Sequence, residues 1–146
     1  MLEYKKGDVL NGGEEVIVHG CNCFNTMGAG LASRIFTEAP FAWEADQRTE
    51  RGDRSILGSY TLGIAKSGAT IINAYTQYRF GSNGADVNYD ALELVIRKVC
   101  LDFPNKVIAM PRIGCGLAGG DWSRVEAILV RVSEETGSTI RVYELP

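Results

Sequence analysis

Two short apolar runs, EVIVH at Glu15–His19 and KVIAM at Lys106–Met110, break directly into glycine-rich stretches, GCNCFNTMGAG and PRIGCGLAGGDW. Each stretch then feeds a helical pattern. Runs this short and this rich in β-branched residues read as strands covered on both faces. Glycines placed immediately after them let the backbone turn sharply or approach a ligand closely. Strand, glycine loop and helix, used twice, commit the chain to an α/β design. In open sheets of that kind ligands sit outside the carboxyl ends of the strands. Exposed backbone amides and a following helix N-terminus there favour phosphate, and two such loops facing each other would clamp a diphosphate.

The remaining segments fit the same design. Leu2–Lys5 reads as a short edge strand ending in a turn at Gly7-Asp8. Helical pattern resumes after Gly30 with LASRIF and again across Phe41–Arg51. Gly58–Ala65 and Thr70–Thr76 read as two strands joined by a hairpin turn at Ser67-Gly68. Asn88–Phe103 carries Leu92, Val95, Ile96, Val99 and Cys100 at helical spacing, and Trp122–Glu135 repeats that period with Trp122, Val125, Ile128, Leu129 and Val132. Thr139–Leu145 closes as a strand. No repeat, charge block or Pro/Ser-rich linker divides the 146 residues, so the expectation is a single domain spanning 1–146. Its expected architecture is a three-layer α/β/α sandwich, with strand order left open.

Composition narrows the function classes. Fifteen basic against 18 acidic residues give a net charge of −3, which argues against a broad surface for duplex nucleic acid but leaves room for one short ligand tail. No stretch approaches the roughly 20 apolar residues of a membrane span, and MLEYKKGDVL lacks a signal-peptide core, so a cytoplasmic, membrane-free protein is expected. Cys21, Cys23, Cys100 and Cys115, with the single histidine His19, match neither a disulfide scaffold nor a zinc-finger spacing. Packed, reduced thiols and no metal or cofactor are expected. A Walker A loop is absent, and the G-x-G-x-x-G match at Gly114–Gly119 is weak by itself.

Taken together, GDVL at the start, VIVHGCN followed by MGAGLA, INAYTQ in the middle and MPRIGCGLAGG near the end resemble the macrodomain family over nearly the whole chain. The likeness is to the small branch holding ADP-ribose 1''-phosphate phosphatases and ADP-ribosyl-glutamate hydrolases, more than to the branch with a VNAAN segment, since that stretch here reads VHGCN. The resemblance implies a central mixed sheet between helices and a cleft for ADP-ribose. It assigns Asp8 to the adenine amino group, with the Val9 amide beside it, and Asn22 to the distal ribose. Met27, Gly28, Ala29, Gly30 and Leu31 would line the distal ribose and diphosphate. Ile113, Gly114, Cys115, Gly116, Leu117 and Ala118 would form the second phosphate loop. The branch's hydrolases use a lysine after the middle strand and an aspartate after GCGL. Here those positions read Gln77 and Ala118, so no amine nucleophile stands there. Asn73, Thr76 and Gln77 are expected instead to offer polar groups to the cleft.

Two residues are catalytic candidates. Asp121 lies just beyond the second loop, where it would orient a water toward the distal ribose, and it equally suits an N-cap for the helix that follows. His19 ends a strand entering the cleft, a place also typical of a satisfied, buried histidine. Cys115, between glycines with no second histidine, reads as a tolerated small side chain rather than a nucleophile. The resulting expectation is a monomeric, metal-independent enzyme that binds ADP-ribose and removes the terminal phosphate of ADP-ribose 1''-phosphate. The alternatives are a non-catalytic ADP-ribose-binding module and an ADP-ribosyl hydrolase acting on modified protein or nucleic acid.

Overall fold

The computed structural model describes residues 1–27, 31–80, 86–115 and 119–145. Its strands are β1 (Leu2–Lys6), β2 (Val16–Cys21), β3 (Tyr60–Ile64), β4 (Thr70–Tyr75), β5 (Val107–Met110) and β6 (Thr139–Glu144). They form one mixed sheet in the order β1-β6-β5-β2-β4-β3, in which only β3 and β4 pair antiparallel. The helices are α1 (Ala32–Glu38), α2 (Pro40–Gln47), α3 (Tyr89–Asp102) and α4 (Trp122–Thr136), with short 3₁₀ turns at Val9–Asn11 and Arg54–Ile56.

Alternation along the strands sorts the layers. Val16, Val18, Ile72, Ala74, Ile108, Met110, Ile140 and Val142 face one way, onto Leu92, Val95, Ile96 and Val99 of α3 and Val125, Leu129 and Val132 of α4. Ile17, Ile71, Ala109 and Tyr143 face the other way, onto Ile35 of α1, Ala42 of α2 and the intervening Ala39. Each fully covered aliphatic side chain contributes about 1.5–3 kcal/mol. The expected three-layer α/β/α sandwich is therefore present, with α1 and α2 on one face and α3 and α4 on the other.

The first two helices differ from the sequence expectation in their limits. Helix stops at Glu38 and restarts at Pro40, because proline fixes its own φ and pushes Ala39 out of the helical region, to φ −143 and ψ 66. Helix α2 then ends at Gln47, short of the expected Arg51. Its packing on β3 depends on one glycine: a Cβ added to Gly63 would lie 2.3 Å from the backbone nitrogen of Ala42. Strand and helix are in backbone contact there.

The topology creates a crevice. β2 sends its chain to α1 and α2, while its parallel neighbours β4 and β5 send theirs to α3 and α4 across the sheet. At the carboxyl end of β2 the outgoing connections therefore part to opposite faces, which is where α/β sheets bind ligands.

Candidate functional site

The first wall of the crevice is the loop after β2. Asn22 folds back on this loop: its Oδ1 accepts the Phe24 N–H at 2.8 Å and its Nδ2 donates to the Thr26 carbonyl at 2.8 Å. Asn25, at φ 57, donates to the carbonyls of Asp46 and Thr49 at 2.8 and 3.0 Å and so fastens the loop to the end of α2. Asn tolerates that left-handed conformation better than other residues with a side chain. Met27 and Leu31 are half-buried against the layer of α1 and α2. Gly28, Ala29 and Gly30, expected to line the ligand, lie outside the described residues, as do Gly116, Leu117 and Ala118 of the second loop.

The second wall follows β5. Ile113 is buried against Gly20 of β2, and the Gly120 N–H donates to the Gly114 carbonyl at 2.9 Å, drawing the two ends of the loop together. Gly114 has φ +80, and a Cβ on Gly120 would meet the Gly114 oxygen at 2.5 Å, so neither position takes a side chain without a shift. Cys115 is half-buried and burial pushes its thiol up, leaving it protonated near neutral pH. Asp121 caps α4, accepting from the Ser123 backbone N–H at 2.9 Å and the Ser123 hydroxyl at 2.7 Å. Those two bonds hold its carboxyl below the usual range, and the group is exposed.

A third wall follows β1. Asp8 caps the turn at Val9–Asn11 through a 3.1 Å bond from the Leu10 N–H, and its second oxygen accepts from Asn11 Nδ2 and pairs with Arg34 Nη1 at 2.7 Å. Val9 is buried beneath the turn. Arg34 also bonds Glu38, so it reaches from α1 to the β1 loop and bridges two of the three walls. The sequence reading did not include Arg34, which stands 26 positions from its partner in a helix of ordinary polar pattern.

His19 and Asn73 project from the α2-facing side of the sheet. His19 is 2% exposed, and its Nε2 lies 2.7 Å from Asn73 Oδ1. The Asn73 amide donates to the Ala42 carbonyl at 2.8 Å and to Thr61 Oγ1 at 3.0 Å, which fixes its oxygen toward His19. Thr61 Oγ1 is 2.9 Å from the Tyr75 hydroxyl, and that hydroxyl donates to Asp46 Oδ1 at 2.8 Å. Every bond then runs one way, from a His19 Nε2–H through Asn73, Thr61 and Tyr75 to the buried Asp46. Burial holds the His19 imidazole down at about 4, against the opposing effect of its Asn73 bond. Burial likewise raises Asp46, partly offset by the Tyr75 hydroxyl. With all three of its amide partners inside the protein, Asn73 presents no free donor at the cleft.

Thr76 is fully buried and its Oγ1 has no hydrogen-bond partner, while Gln77, half-exposed at the end of β4, donates from Nε2 to the Arg79 carbonyl at 2.7 Å. Among the described residues no group of three or more His, Cys, Asp or Glu side chains is arranged to hold a metal ion. No described helix is long and apolar enough to cross a membrane.

Comparison with known proteins supplies relatives. No family model matches the chain. A 17.5 kDa protein from the tk-vs intergenic region of Enterobacteria phage T4 is 38% identical over 154 aligned residues, covering 99% of this chain and 97% of that protein. The DNA ADP-ribosyl glycohydrolase of Mycobacterium tuberculosis is 28% identical over 92% of this chain, which spans 39% of that protein's length. The ADP-ribose glycohydrolase OARD1 of Bos taurus is 28% identical, over 99% of this chain and 91% of its own. Among solved structures, the macrodomain of Mycobacterium tuberculosis DarG superposes with a TM-score of 0.77 at 27% identity, covering 98% of this chain and 97% of that one.

Proposed function

This chain belongs to the macrodomain family, and on that premise we propose that it binds ADP-ribose and hydrolyses a bond to the distal ribose. The observation that carries this reading is the parting of the connections at the carboxyl end of β2, flanked by β4 and β5, with the glycine loops of β2 and β5 on either side. Relatives named for ADP-ribosyl and ADP-ribose glycohydrolase activity support the reaction class.

In this reading Asp8 accepts the adenine amino group, with Val9 beneath it. The carboxylate is already held by Leu10, Asn11 and Arg34, so its direction is set before ligand arrives. Asn22, Met27, Gly28, Ala29, Gly30 and Leu31 line the distal ribose and diphosphate from one side. Ile113, Gly114, Cys115, Gly116, Leu117 and Ala118 do so from the other. Asp121, ionised and exposed beyond the second loop, orients the attacking water. His19 and Asn73, buried and mutually satisfied, act by positioning the loops rather than by touching substrate.

Gln77 favours a second reading within the same crevice. An amide stands where the branch's hydrolases carry a lysine, so the amine-nucleophile route to glycohydrolysis is closed there, and attack by water on the phosphate of ADP-ribose 1''-phosphate is the alternative. Calorimetry with ADP-ribose tests the shared cleft. Release of ADP-ribose from modified oligonucleotide and modified protein, set beside phosphate release from ADP-ribose 1''-phosphate, separates the two reactions. Binding without any turnover would leave a binding module, and no binding at high micromolar ligand would overturn the cleft itself.

A further inference from the structure

Beyond the crevice, Arg51 and Arg54 gather around three aromatic rings, and Arg79 stands with Arg54 on the wall of a concavity. The Arg54 guanidinium lies 3.8 Å from the Tyr78 ring centroid, and Arg51 lies over Phe24 and Phe80 at 5.6 and 5.8 Å. Phe24 meets the edges of Tyr78 and Phe80 at 4.9 and 5.9 Å. Among the described residues Arg51 donates only to the Phe24 carbonyl, at 2.7 Å. Among the described residues none of Arg51, Arg54 and Arg79 forms an ion pair, whereas Arg34, Arg97, Arg112, Arg131 and Arg141 all do. Arg54, Tyr78, Arg79 and Asp86 line a concavity of about 390 Å³. Asp86 Oδ2 is sealed there with no hydrogen-bond partner. The other nearby carboxylate, Asp53, is occupied in capping the turn at Arg54–Ile56.

We propose that this concavity and its arginine–aromatic rim bind single-stranded nucleic acid joined to the ADP-ribose in the crevice. The proposal rests on the ADP-ribose reading for that linkage, since Tyr78 follows Gln77 directly and holds the loop of Asn22 through a 3.0 Å bond from the Cys23 N–H to its carbonyl. Three features choose this occupant. Phe80, 44% exposed, and the stacked guanidinium planes offer flat faces that unpaired bases use and acidic peptides do not. Unpaired arginines suit a few phosphates, while a net charge of −3 suits no long duplex. Asp86 lines the concavity, and the open edge of its carboxylate is an acceptor for a base N–H, which duplex pairing would hide.

The test is fluorescence anisotropy with a short labelled oligodeoxythymidylate, the same sequence as a duplex, and polyglutamate. The single strand is expected to bind best. Replacing both Arg54→Ala and Arg79→Ala should weaken it about tenfold or more, and flatten its log-salt slope by about 0.7 per arginine. Phe80→Ala should weaken it with the slope unchanged. ADP-ribose binding by calorimetry should stay at the unmutated level in these variants, which also reports their folding. The proposal is overturned if the single strand fails to bind at low salt, if duplex or polyglutamate binds as tightly, or if the variants keep full affinity. Oligonucleotide binding without ADP-ribose binding would instead sink the reading of the crevice and leave this surface standing.

Discussion

His19 and Asn73 stand directly opposite one another on adjacent parallel strands, joined by a 2.7 Å hydrogen bond from ring to amide. The pair starts a one-way chain of donors that ends on a buried carboxylate, beneath the helix that anchors the first ligand loop.

Stability should therefore fall as the solution is acidified. The folded-state imidazole titrates at about 4 and the unfolded one near 6.5. Above pH 6.5 both are neutral and the full stability is present. Between 6.5 and 4 only the unfolded chain takes up the proton, so up to about 3 kcal/mol is lost. Asp46, raised by burial, works in the opposite sense, its contribution fading as pH rises through its folded-state value. Urea unfolding at pH 7.5, 6 and 5 measures the net slope. His19→Gln, which keeps a donor without a titrating ring, should flatten it, and equal slopes would remove His19 from the account.

Tyr75→Phe should cost about 2 kcal/mol, since it leaves Asp46 and Thr61 each short of a buried partner. Denaturant midpoints read this directly. The variant should also loosen the Asn25 loop, which hangs on the Asp46 carbonyl, and so weaken ADP-ribose binding.

Gly63→Ala forces a methyl group into the backbone of α2 and should destabilise by about 2–3 kcal/mol. Thermal unfolding would show it. Gly68→Ala, at a turn with open space around it, should cost less and only through its φ of +94.

Asp121 admits a clean separation of roles. Asp121→Ala loses the cap and lowers the denaturant midpoint, whereas Asp121→Asn keeps the cap and loses the charge. An orienting carboxylate predicts that both variants lose turnover at least tenfold while retaining ADP-ribose affinity. A pure cap predicts normal turnover in Asp121→Asn.

Strands and helices were legible because their apolar periods are undisturbed, from EVIVH to the heptad-like spacing of Leu92 through Cys100. The break at Ala39–Pro40 is also written in the chain, in a proline that stands between the LASRIF pattern and the one across Phe41–Arg51. Which face a polar residue takes was harder. Position alone put His19, Asn73 and Thr76 at the cleft mouth, yet their side chains are buried, with His19 and Asn73 among the residues under α2. The Asp8–Arg34 pair and the arginine rim depend on distant segments meeting, and no local spacing announces them.

One pairing in the sheet bears on how the chain reaches its native state. β1 lies at the sheet edge with β6 as its neighbour, Leu2 opposite Ile140. During synthesis β1 cannot make this pairing until β6 has emerged. Its docking is a closure of high sequence separation, slow by comparison with the hairpin of β3 and β4. The turn that carries Asp8 hangs on that strand, so the Asp8 wall of the crevice should be the last part of the molecule to form.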